Sequence, residues 1–203
     1  MKRIIIILIL IALGAIVFYS LSSGSSDEDY IAEIRKERQE KDSFMKNADE
    51  SPIEDKTSFT ALNYFEPDPN YRVTASLEKI DNKKVILLPT STNEESSYLE
   101  YAWAEFEIDG IKNRLLLLEV MAMGPTRGTL FLAFADETSA KETYGAGRYL
   151  ELKKMPGAGT MVLDFNKAYN PYCAYTDKFS CPFPPKENIL KIAISILYCT
   201  LSM

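Results

Sequence analysis

Residues 101–118 most constrain what this chain can become. Ala102, Ala104, Phe106 and Ile108 alternate with Tyr101, Trp103, Glu105 and Glu107; Asp109-Gly110 then interrupts, and a second run follows over residues 111–118. Alternation with period 2 is the pattern of a strand with two unlike faces. A two-residue type I′ turn needs positive φ at both central positions, and Asp-Gly supplies it. The turn also fixes the register. Glu107 falls opposite Lys112 and Glu105 opposite Arg114 on one face, while Ile108, Phe106, Ala104, Ile111, Leu115 and Leu117 share the other. Opposite charges outside and apolar residues inside agree with a single pairing. This is an antiparallel hairpin. Glu105 and Glu107, roughly 7 Å apart along a strand, have the separation of an inverting glycosidase's carboxylates. Each already faces a basic partner, so the pair reads as scaffold.

Further strands are expected at 71–80, 85–89, 129–135, 147–152, 161–165 and 190–196. Leu130, Phe131, Leu132 and Phe134 make 129–135 apolar on both faces, which predicts a central strand; Gly124-Pro125 marks the turn before it. Ser26 followed by Asp29 resembles a capping box opening a helix over residues 27–47. Its apolar positions, Ile31, Ile34, Phe44 and Met45, are interrupted by Arg38 and Lys41, which predicts a solvated stalk or lid with apolar contacts at its ends. With 203 residues there is enough chain for one sizeable core. The expected fold is mainly β, an antiparallel barrel or sandwich, with an N-terminal transmembrane or signal helix and one charged helix. The expected division is residues 1–26 as anchor or signal plus linker, 27–50 as the charged helix, and 51–203 as the β-rich domain.

Residues 4–21 carry no charge and follow Lys2 and Arg3. At about 1.5 Å per residue such a run just spans a hydrocarbon layer of about 30 Å. Basic residues before it and Asp27-Glu28-Asp29 after it orient the N-terminus toward the cytoplasm. The body is therefore expected at the cytoplasmic membrane, facing the periplasm or exterior. Small residues at Ser20, Ser22 and Gly24 would satisfy a signal peptidase, so an uncleaved anchor and a secreted, cleaved form both stand. No Cys directly follows the run, which excludes a lipoprotein anchor. Without Lys2 and Arg3, the 23 basic residues become 21 against 29 acidic ones, a net of −8. A nucleic-acid surface needs the opposite field, so that class is set aside. Cys173 and Cys181 sit in a Pro-rich loop. An oxidising compartment and a short loop favour a disulfide between them, with two separate thiols as the alternative.

The chain has no histidine. This removes Ser-His-Asp and Cys-His nucleophiles and every His-ligated metal site. Tyr144-Gly145-Ala146-Gly147-Arg148 leads into a strand, so the dinucleotide fingerprint fails and positive φ is the simpler use of its glycines. No metal or cofactor is expected. What remains is polar and aromatic. Arg127 and Arg148 have the fork geometry to clamp a carboxylate or phosphate. Asp164 and Asn166 alternate on one side of a strand end, either ordering the next loop or contacting a ligand. Tyr144, Tyr169, Tyr172 and Tyr175 offer apolar area with a hydrogen-bonding tip, either walling a pocket or packing a loop, and Asn170 lies among them.

Several of these stretches carry a resemblance. Residues 59–65, 71–75, 143–150, 163–166 and 181–188 resemble the prokaryotic domain-of-unknown-function family 1684, with similarity running from about residue 34 to about residue 194. Members of that family typically close with a further strand and a Gly-Glu-Lys-like tail, from which residues 194–203 depart. The resemblance brings no activity with it. The first expectation is a membrane-tethered extracytoplasmic β domain binding a small polar or anionic ligand through Arg127, Arg148, Asp164, Asn166, Asn170, Tyr144 and Tyr169. The alternatives are a carboxylate hydrolase using Asp164 and Glu142, and an envelope-assembly or structural module.

Overall fold

The computed structural model describes residues 26–124 and 126–202. The expected membrane segment, residues 4–21, lies outside the described residues; among these, no helix is long and apolar enough to cross a membrane. A helix α1 (Asp27–Asn47) precedes nine strands: β1 (Ala61–Tyr64), β2 (Arg72–Lys79), β3 (Val85–Pro89), β4 (Glu95–Ile108), β5 (Ile111–Val120), β6 (Leu130–Phe134), β7 (Arg148–Leu152), β8 (Thr160–Asp164) and β9 (Leu197–Ser202). One sheet has seven antiparallel strands in the order β7-β6-β5-β4-β2-β8, with β3 beside β4; β1 and β9 form a separate pair.

The hairpin forms as its sequence dictates. Asp109 and Gly110 have φ of 52° and 75°, and Glu107 faces Lys112, Glu105 faces Arg114, and Ile108 faces Ile111. Arg114 bonds Glu78 on the neighbouring β2 as well as Glu105, with its guanidinium 4.2 Å above the Trp103 ring. Ile111, expected inside, is half exposed because it ends the ladder beyond the core. The long β4 serves two partners on one edge: residues 95–99 pair with β3, and residues 102–105 pair with β2. The irregularity between Glu100 and Ala102 falls where the partner changes. Bulges bend and twist a sheet, and this one curls into a half-barrel.

Leu115, Leu117, Leu132, Phe134, Leu163 and Phe165 fill the concave side and are fully buried. Leu116 and Leu118 are buried too, which hairpin alternation alone does not predict. They belong to a second cluster on the convex side, with Tyr98, Phe131 and Tyr149. Each such leucine contributes about 1.5–3 kcal/mol on burial. β6 is apolar on both faces for the same reason, though it sits one strand from the edge rather than in the middle.

β5 and β6 pair only at Leu118–Phe131 and Glu119–Leu130. Beyond that they splay, and Asn188 fills the gap with its side chain. Its Oδ1 accepts from Leu116 N at 2.7 Å, and its Nδ2 donates to Leu116 O and Ala133 O at 2.9 Å each. One amide stands in for a missing stretch of ladder.

Two expectations need correction. Residues 190–196 form no strand. Ile192, Ile194 and Ile196 face the core, but the backbone bonds singly to scattered partners. Glu137 N donates to Ile192 O, Ile194 N to Asp136 Oδ2, and Phe65 N to Ile196 O. Side chains and loops replace a ladder here. Helix α1 is also no stalk. Its capping box forms as expected, but Tyr30, Ile34, Arg38 and Met45 make a buried stripe against the barrel. Arg38, which looked like an interruption, belongs to that stripe: it donates to Phe65 O at 2.6 Å and stacks 4.7 Å over Tyr64.

Candidate functional site

A half-barrel leaves two strands without partners along their outer edges, and curling turns both toward one opening. A cleft of about 770 Å³ occupies that seam, within the size range of small-molecule sites. Its walls include Glu151 of β7 and Lys153 just past its end, and Val162 and Asp164 of β8, with Tyr169 and Tyr172 from the loop beneath. Lys41 reaches it from α1, and Arg72 from the start of β2.

Lys41 is the central group. Its Nζ lies 5.1 Å from the Tyr169 ring centroid, 5.5 Å from Phe44 and 5.8 Å from Tyr172. Burial lowers its pKa, with the Glu151 charge acting the other way. Three rings give a desolvated ammonium cation–π attraction, and the nearby Glu151 charge forms no ion pair with it. Among the described residues, Lys41, Arg72 and Lys153 enter no ion pair. Lys167, also on the cleft, pairs with Glu37 at 2.6 Å. Tyr169 donates its hydroxyl to Glu151 Oε1 at 2.9 Å. The seam thus presents unpaired positive charge against aromatic walls. A smaller cavity of about 180 Å³ lies across Lys41 and Tyr169, where Arg38 Nε is buried without a partner.

The residues singled out in the sequence disperse. Asp164 and Tyr169 line the cleft. Asp164 already accepts from Tyr30 Oη at 2.7 Å and Asn166 N at 3.2 Å, so it clamps α1 and orders its own turn. Asn166 is buried: its amide donates to Tyr30 Oη and Asp68 O and accepts from Asp68 N. Asn170 is buried and donates to Tyr198 O at 3.1 Å. Tyr144 donates to Cys173 O at 3.4 Å.

The pair of arginines does not form a clamp. Arg127 is exposed in the β5–β6 turn and contacts Met123. Arg148 has no exposed surface at all; it is ion-paired to Asp136 and donates to Ile194 O at 2.8 Å inside the barrel. Just before it, Gly147 has φ +86°, and a Cβ there would meet Phe134 O at 2.5 Å. The polar stretch 143–148 builds architecture. Glu142 is exposed and outside the cleft.

Cys173 and Cys181 are free thiols within hydrogen-bonding reach of one another, and Cys173 N donates to Cys181 Sγ at 3.2 Å. Burial pushes the Cys181 thiol up to about 12. Among the described residues, no group of three or more acidic or sulfur side chains is arranged to hold a metal.

The buried phenols of the domain, two of them at the cleft, carry a pH signature. Burial raises Tyr98 and Tyr144 to about 12, and raises Tyr149, Tyr169 and Tyr175 as well. Unfolded phenols ionise near about 10. Above that pH the unfolded state holds fewer protons than the folded one, so stability falls as pH rises. Urea midpoints are expected to hold level up to about pH 9.5 and to drop progressively above about pH 10. Absorbance at 295 nm should show ionisation of these phenols only with unfolding. Equal midpoints at pH 8 and pH 11 would contradict this.

The fold and the cleft define a class: an antiparallel half-barrel domain with a basic, aromatic-walled site at its open seam. Residues 57–196 match the family described as Protein of unknown function (DUF1684), and the chain belongs to that family. The match begins after α1, later than the start near residue 34 expected from the sequence. The chain is also similar to an uncharacterised protein of Haloarcula marismortui whose structure was solved by NMR in solution. The two are 38% identical, with a TM-score of 0.64, over 83% of this chain and 93% of that one. No curated protein matches the chain.

Tyr172, read from the sequence as a pocket wall, does line the cleft, whereas Lys41, Arg72, Lys153 and Phe179 were not singled out as site residues. One signal was available for Lys41. Tyr30, Ile34, Arg38, Lys41 and Met45 follow helical spacing, which places Lys41 on the docked face.

Proposed function

We propose that this domain binds a small anionic ligand with an apolar or flat body in the seam cleft. The observation carrying this reading is the set of cations without ion pairs, Lys41, Arg72 and Lys153, lining one cleft, with Lys41 against Tyr169 and Tyr172. An anion would supply the direct ion pairs these cations lack, and the rings would cover its apolar part.

The test is NMR titration with 3-phenylpropionate and with its neutral amide. The acid is expected to shift Lys41, Tyr169 and Tyr172 and to bind at least about ten-fold tighter than the amide, equivalent to about 1.4 kcal/mol. The double substitution Lys41→Met and Arg72→Met should remove that preference without lowering the unfolding midpoint. Equal binding of acid and amide, or shifts scattered over the surface, would refute the reading.

The apolar run at residues 4–21 supports placing the cleft outside the cytoplasmic membrane, tethered or released. Protease added to intact spheroplasts should then degrade the domain; protection would place it inside. In that oxidising compartment the adjacent Cys173 and Cys181 would form a disulfide. Protein isolated without reductant should show one reactive thiol in denaturant, from Cys199, and three after reduction. Three in both cases would argue against the bond.

A further inference from the structure

We infer that the ligand taken by the seam is an extended polypeptide segment with an acidic side chain, bound by strand addition along the free edges of β7 and β8. This rests on the proposal above that the cleft attracts anions, and adds the backbone to it.

Peptide groups in an antiparallel ladder point alternately to one neighbour and the other. On β7, Tyr149 exchanges both backbone bonds with Tyr169, at 2.9 and 3.0 Å. Its peptide groups therefore point away from β6, and so do those of Glu151, two residues on. The single bridge at Tyr149–Tyr169 covers only the beginning of this edge. On β8, Gly159 O accepts from Leu77 N at 2.8 Å in register with β2. Met161 and Leu163 thus bond β2, and the peptide groups of Val162 point outward. Glu151 and Val162 both line the cleft. Two rows of unused donors and acceptors converge on the volume that carries the unpaired cations.

An extended peptide satisfies both sets at once. Its backbone continues the ladder, and side chains at i and i+2 share one face. A glutamate there meets Lys41, and an apolar neighbour two positions away meets Tyr172. Val162 is 46% exposed on its edge strand. A small carboxylate would use the cations and leave the edges bare. A peptide explains why charge, rings and free edges occupy the same place.

The test uses a degenerate pentapeptide pool with a central glutamate, acetylated and amidated at its ends. Three controls accompany it: the same pool with glutamine, the same pool with alternate amides N-methylated, and 3-phenylpropionate. The glutamate pool is expected to slow amide exchange at Glu151 and Val162 at least ten-fold. N-methylation should remove that protection, and glutamine should weaken it. If 3-phenylpropionate binds but the glutamate pool protects no edge amide, strand addition is wrong and the anion cleft survives. If N-methylation changes nothing, the backbone plays no part and strand addition is again wrong. If neither the acid nor the pool binds, both readings fall.

Discussion

Asn188→Leu should unfold this domain about 4 kcal/mol more easily than the native chain, among the largest effects expected of any single substitution. Leucine preserves the volume, so packing is not the cause. Asn188 has no exposed surface, and its amide satisfies Leu116 N, Leu116 O and Ala133 O. Removing it leaves three backbone groups on β5 and β6 buried without partners. Each costs about 1–3 kcal/mol, since water cannot reach a gap that a leucine now fills. Urea unfolding measures the loss directly. A change under about 1 kcal/mol would mean that the strands close up and pair, which the register between them argues against. Asn188→Asp should not rescue the fold, because a carboxylate cannot donate to the two carbonyls and adds a buried charge.

The second large effect is expected at Arg148. Arg148→Met should cost about 3–5 kcal/mol, the range for stripping one partner from a buried ion pair. The pair is wholly enclosed, with both side chains at 0% exposure. Burial pulls the Arg148 guanidinium below its ordinary pKa, and Asp136 works against that pull. The cation is thus held by its partner and by Ile194 O. Without it, Asp136 retains hydrogen bonds from Thr138 and Ile194 but has no counter-charge. Adding Asp136→Asn to the Arg148→Met variant would relieve the stranded charge, so the double variant should recover part of the loss. Additive losses in the double-mutant cycle would show that the two residues act independently.

The contrast between these positions shows what a sequence discloses. The Asp109-Gly110 hairpin was legible because its causes are local: alternation, a turn dipeptide and facing charges all lie close together in the chain. The polar richness of residues 143–148 and 163–170 was a true signal with a divided outcome: Asp164 and Tyr169 line the cleft, and the other polar residues serve the architecture. Those segments flank strand ends, and Arg148, Asp164, Asn166 and Asn170 bond backbone that no ladder serves. Composition alone does not distinguish a polar group aimed at a ligand from one aimed at a carbonyl. The cleft was hidden for a different reason. Lys41, Arg72, Lys153 and Tyr172 come from separate parts of the chain, and only the curl of the sheet brings them to one seam.

The attachment of α1 has a kinetic corollary. Tyr30 meets Asp164 across 134 positions and Arg38 meets Asn166 across 128, whereas the β4–β5 hairpin joins neighbours. Contacts so distant along the chain form late, because the loop they close must be ordered first. The helix can meet β1 early, through Asp42–Leu62 and Arg38–Phe65, but its bonds to Asp164 and Asn166 are expected only once β8 is in place. Since the cleft draws Lys41 from the helix and its other walls from residues 72 to 182, it is expected to be complete only when folding is nearly finished.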